Sequence, residues 1–367
     1  MLIKPVSGAC NMRCKYCFYA DEMKNRSQPL FGKMSDETLE NIVRKTFENS
    51  DGHCMFMFQG GEPTLAGIEF YRGLDILVEK FNTKNIEVDH ALQTNGYIID
   101  NEWAEFFARH NYLIGLSVDG FGDLHNLYRC DVAGNGSFNK VMRAASLLKK
   151  YEVDFNILCV VTAQTAKHIE SIYQFYKKNG FQYQQYIPCL EPIGEYDGGN
   201  RFTLTPDLYS MFLKRLFDLW HKDILSGLNI HNRTFENWIG MMHGIHPEIC
   251  GMIGSCSPQY VIEADGGVYP CDFYALDGYQ IGNINTDSFV EIERKRSEIG
   301  FIRQSRFIDD ECKTCHWSNI CRGGCRRYRE PVVNGIPKKN MYCSSYKEFF
   351  DYAGERMYEL GKLLISR

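Results

Sequence analysis

"SGACNMRCKYCFYA", residues 7–20, puts Cys10, Cys14 and Cys17 into one short loop with the spacing C-x3-C-x2-C. An odd set of thiols at this spacing suits neither a closed disulfide frame nor a finished tetrahedral metal site, which takes four ligands. The loop reads as a metal centre with one ligand missing. It follows a short apolar run, "LIKPV", and that order of strand and then polar loop recurs along the chain.

Further runs of strand character are "CMFMF", "IEVDHAL", "LIGLSVD", "FNILCVV" and "YQQYI", separated by amphipathic stretches up to about Leu190. Alternation of this kind predicts a parallel sheet with crossover helices. "FNILCVV" is uninterrupted, as for a strand buried on both faces. The helix predicted from Asp36 to about Glu48 has Ser35 as N-cap, with Leu39, Ile42, Val43 and Phe47 on one face. The continuations after the strands are the cysteine loop, "QGGEP", "QTNG", "SVDG", "VVT" and "PCLEP". In a parallel barrel such loops share the C-terminal rim, where active sites are built.

At 367 residues the chain has room for a barrel-type domain of roughly 200 to 250 residues and a smaller one. The reading is a partial parallel (β/α)6 barrel over residues 1–230 and a cysteine-rich domain with a C-terminal helix over 231–367. The segment "TPDLYSMFLKRLFDLWHKDIL" closes the first part as a long helix, and "QYVIEADGGVYPCDFY" opens the second as a hairpin turning at Asp265 to Gly267. A net charge of −5 argues against a general nucleic-acid binder. No export signal or membrane-length apolar stretch is visible, so a cytoplasmic protein with no membrane partner is expected. In a reducing compartment, fifteen cysteines in clusters favour metal binding over disulfides.

The second module holds Cys250 and Cys256, then Cys271, then Cys312, Cys315, Cys321 and Cys325, and finally Cys343. These eight suffice for two four-cysteine sites. Zinc and iron-sulfur clusters both use such pairs, and beside a loop with an open position iron-sulfur is favoured. Cys54, Cys130, Cys159 and Cys189 are left over and read as small buried hydrophobes.

"CNMRCKYC", with an aromatic before its last cysteine, resembles the radical S-adenosylmethionine enzymes. The second module resembles their SPASM auxiliary-cluster extension. From "LIKP" through "FQGGEP", "LQTNG", "YPCDFY" and "GGCRR" to "YKEFF" the chain is similar to the anaerobic sulfatase-maturating enzymes. The resemblance implies three 4Fe-4S clusters and S-adenosyl-L-methionine. Cys10, Cys14 and Cys17 would hold the first cluster; Cys250, Cys256, Cys271 and Cys325 the nearer auxiliary one; and Cys312, Cys315, Cys321 and Cys343 the farther. By the same likeness Tyr16, Gly60, Gly61, Glu62, Ser117, Asp119, Arg129 and Leu190 contact the S-adenosylmethionine, Tyr19 and Gln59 the peptide, and Asp272 is the proton acceptor.

The activity so implied is oxidation of a cysteine or serine in a sulfatase C/S-x-P/A-S-R motif to formylglycine, by a 5'-deoxyadenosyl radical that removes a β-hydrogen. The partners would be the sulfatase polypeptide and an external one-electron reductant such as flavodoxin or ferredoxin. A peptide maturase forming thioether or carbon-carbon crosslinks would use the same clusters, although it usually carries a recognition segment ahead of the barrel. A non-catalytic zinc-binding interaction protein is the other reading.

Overall fold

The computed structural model describes residues 1–194 and 199–365. Strand and helix alternate as the sequence predicts: β1 (Leu2–Ile3), α1 (Phe18–Lys24), α2 (Asp36–Asn49), β2 (His53–Phe58), α3 (Ile68–Phe81), β3 (Glu87–Thr94), α4 (Asn101–Arg109), β4 (Tyr112–Ser117), α5 (Gly122–Tyr128), α6 (Phe138–Lys150), β5 (Phe155–Val161), α7 (Ala163–Lys167), α8 (Ile169–Lys178), β6 (Tyr183–Pro188) and α9 (Pro206–Leu225). Three further short strands and a helix follow β7 (His231–Asn232) and α10 (Arg233–Met242): β8 (Val261–Ile262), β9 (Gly267–Tyr269), β10 (Gly282–Asn283) and α11 (Phe289–Ile299). This is an α/β fold with a mostly parallel sheet and a cysteine-rich C-terminal module. Among the described residues no helix is long and apolar enough to cross a membrane.

The chain divides into two compact units, Met1–Val118 with His125–Asn156 and Pro258–Ile299, and Asp119–Leu124 with Ile157–Ser257 and Gly300–Arg367. In the first, β1, β2, β3 and β4 pair in parallel through the registers Leu2 with Met57, His53 with Glu87 and His90 with Tyr112. β8 adds to the other side of β1 in parallel, and the hairpin expected around Asp265 is present as the antiparallel pair β8–β9. Strand β1 is shorter than "LIKPV" because Pro5 has no N–H for the ladder, and the chain turns at Lys4 instead. Side chains alternate along β2, so Cys54, Phe56 and Phe58 are buried, and Phe58 packs edge-on against Tyr71 of α3 at 5.0 Å. The Ser35 cap is as predicted, accepting from Thr38 N–H, and Leu39, Ile42, Val43 and Phe47 face inward.

In the second unit β5, β6 and β7 are parallel, with Ile157 opposite Gln184 and Tyr183 opposite His231. One face of β5 is buried at Ile157, Cys159 and Val161, while the other is only half-buried, so it is not the two-sided core strand expected. Helix α9 starts at the Thr205 cap with Pro206 at its first position. Its Phe217 meets Phe235 of α10 edge-on at 5.3 Å and Phe349 of the final helix (Cys343–Ile365) at 5.8 Å. Rings in this geometry add about 0.5–1.5 kcal/mol per pair beyond their buried area.

Candidate active site and cluster sites

Cys17 is the N-cap of α1, so the helix begins on the third thiol of the triad. The loop carrying the triad is held from beneath by the end of β2. Gly61 N–H donates to Ser7 O at 2.9 Å and Glu62 N–H to Ala9 O at 2.8 Å. A Cβ on Gly61 would lie 2.0 Å from Ala9 O, and one on Gly60, where φ is +109°, would lie 2.8 Å from Ser7 O. These glycines therefore permit a backbone-to-backbone approach that any side chain would block.

Glu62 is buried, and both of its oxygens are taken by protein donors. Oε1 accepts from Thr64 N, Thr64 Oγ1 and Thr94 Oγ1, at 3.1, 2.6 and 2.8 Å, and Oε2 accepts from Asn95 N at 2.8 Å. Its carboxyl is nevertheless raised above the ordinary range, because burial outweighs those bonds. The side chain ties β2 to β3, and what this position leaves for a ligand is backbone. Asn95 of "QTNG" completes the tie: its amide donates to Asn11 Oδ1 at 2.9 Å and to Cys10 Sγ at 3.7 Å. The Cys10 thiol is pushed up to about 11, by burial first and then by the Glu62 carboxylate.

Tyr16 and Arg129 meet within the first unit, the guanidinium lying 5.5 Å from the ring centre. Ser117 at the end of β4 accepts a 3.2 Å bond from Gln93. Asp119 and Leu190 belong to the second unit; Asp119 is buried and accepts from Val160 N–H at 2.9 Å, while Leu190 is half-buried.

Asp272 gathers the residues assigned separately to substrate and to proton transfer. Its Oδ2 accepts from Tyr19 OH at 2.6 Å and from Gln59 Nε2 at 3.1 Å, and its Oδ1 lies 3.2 Å from Lys4 Nζ. Lys4 also faces Glu22 Oε2 at 3.3 Å and Glu263 Oε1 at 3.9 Å, and Arg26 pairs with Glu263 at 2.7 Å. Lys4, Glu22, Arg26 and Glu263 were not singled out from the sequence, where charged residues read as solvated surface. The available signal was the i, i+3 placement of Tyr19 and Glu22 on α1. Burial drives the Glu22 carboxyl up to about 7 although Lys4 opposes it. Burial likewise lowers the affinity of Lys4 for its proton, but Glu22, Asp272 and Glu263 together more than reverse that, so it stays an ammonium. The Tyr19 phenol is held well above its ordinary range by burial and by Asp272, and is a hydrogen-bond donor.

No cysteine among the described residues is in a disulfide. In the second unit Cys312, Cys315, Cys321 and Cys343 line one cavity of about 460 Å³. Among the described residues no three His, Cys, Asp or Glu side chains are grouped as a single ion needs. Four thiols around so large a space fit a cubane cluster, with its sulfide volume, better than one zinc ion. Cys325 is pushed up to about 12 by burial and, after that, by the neighbouring Cys256 and Cys250, which places three more thiols together. Cys271 belongs to the first unit. Of the four leftover cysteines, Cys54, Cys159 and Cys189 are buried as expected; Cys130 is half-buried, its Sγ donating to Asn126 O at 3.1 Å.

Residues 5–176 match the Radical SAM superfamily, and residues 254–316 the SPASM iron-sulfur cluster-binding domain. The cysteine-type anaerobic sulfatase-maturating enzyme of Clostridium perfringens (strain 13 / Type A) is 46% identical over 97% of this chain and 96% of its own. That of Clostridium novyi (strain NT) is 45% identical over 100% and 98%. A solved structure described as native anSMEcpe with bound AdoMet and Cp18Cys peptide superposes with a TM-score of 0.94 at 44% identity, covering 99% of this chain and 98% of that one.

Proposed function

Because the chain belongs to the anaerobic sulfatase-maturating enzymes of the radical S-adenosylmethionine superfamily, we propose that it oxidises a cysteine, or a serine, of a sulfatase C/S-x-P/A-S-R motif to formylglycine. The observation that carries the reading is the buried Asp272 carboxylate held jointly by Tyr19, Gln59 and Lys4. A carboxylate so placed beside a cysteine ligand is a proton acceptor with a fixed aim.

When bound, the clusters and S-adenosylmethionine supply a 5'-deoxyadenosyl radical that removes the β-hydrogen, and an acceptor for the electron that leaves. Cys10, Cys14 and Cys17 would hold the first cluster; Cys250, Cys256, Cys271 and Cys325 one auxiliary cluster; and Cys312, Cys315, Cys321 and Cys343 the other. By the family likeness Gly60 and Gly61 would offer backbone to the methionine end of the cofactor, and Tyr16, Ser117, Asp119, Arg129 and Leu190 would contact the rest of it. Tyr19 and Gln59 flank the reacting side chain. Asp272 accepts the thiol or hydroxyl proton. With a cysteine substrate the side chain loses a hydrogen atom, a proton and an electron to give a thioaldehyde, and water replaces sulfur as hydrogen sulfide leaves. Cysteine is the preferred residue, in keeping with the two relatives named as cysteine-type. A cytoplasmic flavodoxin or ferredoxin is the reductant, and the cofactor-binding core and cluster module occupy residues 1–230 and 231–367.

Anaerobic incubation with S-adenosylmethionine, a strong reductant and peptides carrying the cysteine or serine motif, read by mass spectrometry, tests this. Formylglycine is expected. A crosslinked peptide in its place would transfer the chain to the maturase reading, and zinc without iron or sulfide in anaerobically purified protein would end the enzyme reading.

A further inference from the structure

Five charged side chains, Lys4, Glu22, Arg26, Glu263 and Asp272, are buried together in the first unit. Three are carboxylates and two are cations, and their placement is unequal. Arg26 is spent on Glu263, on Ser7 Oγ at 2.9 Å and on Pro29 O. Lys4 alone reaches Asp272 among the described ion pairs, from the last turn of chain after β1, with 1% of its side chain exposed. Asp272 Oδ1 is buried and, this ion pair apart, has no hydrogen-bond partner among the described residues. Its other oxygen carries two neutral donors. The carboxylate plane is thus fixed by three groups, the one charged group on Oδ1 and the two neutral donors on Oδ2.

Lys4 is in turn held. Glu22 fixes the ammonium from α1 and also accepts from Ala275 N–H at 3.2 Å, just past Asp272 in the chain. The Lys4 ammonium stands 4.6 Å from the centre of the Tyr19 ring, so the same cation touches a donor and the acceptor of the key hydrogen bond. We propose that Lys4, braced by Glu22, is a positioning residue that keeps the Asp272 carboxylate turned with Oδ2 toward Tyr19, Gln59 and the substrate. The inference rests on the formylglycine reading above and adds to it a residue that does not touch the reacting atoms.

The test uses full-length enzyme with its clusters reconstituted and a peptide deuterated at the cysteine β-carbon. Three quantities are read: formylglycine per 5'-deoxyadenosine, the deuterium content of the 5'-deoxyadenosine, and iron content with thermal unfolding. Lys4→Met should lower the first roughly tenfold or more, part of the 10²–10⁴ that a general base contributes, while deuterium transfer stays at the wild-type fraction. Removing the ammonium also leaves an unbalanced buried carboxylate, which destabilises the fold. Lys4→Met/Glu22→Gln restores the charge balance, so iron content and unfolding temperature should recover while the product ratio stays low. The ratio is read in the single variant if it keeps its iron and otherwise in the double. A wild-type ratio in the double variant, or deuterium transfer falling in step with product, would reduce Lys4 to a packing role and overturn the proposal. Wild-type enzyme run alongside tests the formylglycine reading separately, since absence of product there defeats both.

Discussion

Tyr19 and Asp272 are 253 positions apart and share a 2.6 Å hydrogen bond, phenol donating to carboxylate. One comes from the helix that begins on the third cysteine of the triad, the other directly follows Cys271, a ligand of the proposed auxiliary cluster. The bond thus joins the two ends of the proposed chemistry within one compact unit.

Asp272→Asn keeps the shape and cluster ligation and loses the proton acceptor. Product formation should fall by on the order of 10² to 10⁴, whereas 5'-deoxyadenosine formation should fall much less. Formylglycine per 5'-deoxyadenosine, measured for both proteins, decides it; equal ratios would leave Asp272 as a turn residue.

Cys10→Ala/Cys14→Ala/Cys17→Ala should abolish 5'-deoxyadenosine while auxiliary iron remains. Cofactor cleavage surviving in that triple variant would remove the triad from the radical source.

Cys312→Ala or Cys315→Ala opens the cavity that four thiols line. Because metal-ligand bonds in a small loop-rich module supply folding free energy directly, iron content and unfolding temperature should drop more than S-adenosylmethionine affinity. Full iron and unchanged unfolding would show that these thiols are not ligands.

Gly61→Ala would drive a methyl group into the Ala9 and Gly8 backbone, with 2.0 Å to the nearest atom. Overpacking against atoms that cannot yield costs about 1–3 kcal/mol or more. The triad loop should lift, with loss of iron from the first cluster at wild-type auxiliary iron, followed by iron analysis and cluster spectroscopy; a fully loaded first cluster contradicts the close approach.

His90 lies on β3 between the rings of Phe56 and Tyr112, its Nε2 buried and without a hydrogen-bond partner among the described residues. Burial, and then the charge of nearby His110, hold its pKa down at about 4 against an ordinary 6.5. The unfolded chain therefore takes up this proton first. Stability from neutral His90 is complete above pH 6.5 and is lost as the pH falls toward 4. Thermal unfolding should decline across that window, and His90→Phe should flatten the decline; an identical acid slope in the variant rules the histidine out as its source.

The β/α alternation, the Ser35 cap and the cysteine groups were legible because each is a local signal, set by spacing within a few residues. The ion cluster was not. Nothing local distinguishes Lys4 from a surface lysine, since its burial comes from β8, the Asp272 turn and α1 closing over it. The same holds for Asn95, whose contact with Cys10 spans 85 positions. For Glu62 the motif pointed to the right loop, but the role of its side chain was hidden until Thr94 and Asn95 were seen to saturate it.

Asp272 and Cys271 fold with Pro258–Ile299 into the first unit, although Cys250 and Cys256 precede them in the chain and belong to the second. This interleaving sets the rules for recombination between relatives. A chimera with a single crossover ahead of Cys250 would inherit a foreign Asp272 opposite native Lys4, Tyr19 and Gln59, mixing two lineages inside one hydrogen-bonded group. A single crossover at the Ile299–Gly300 border keeps that group of one parentage and exchanges the four cavity thiols as a separate cassette.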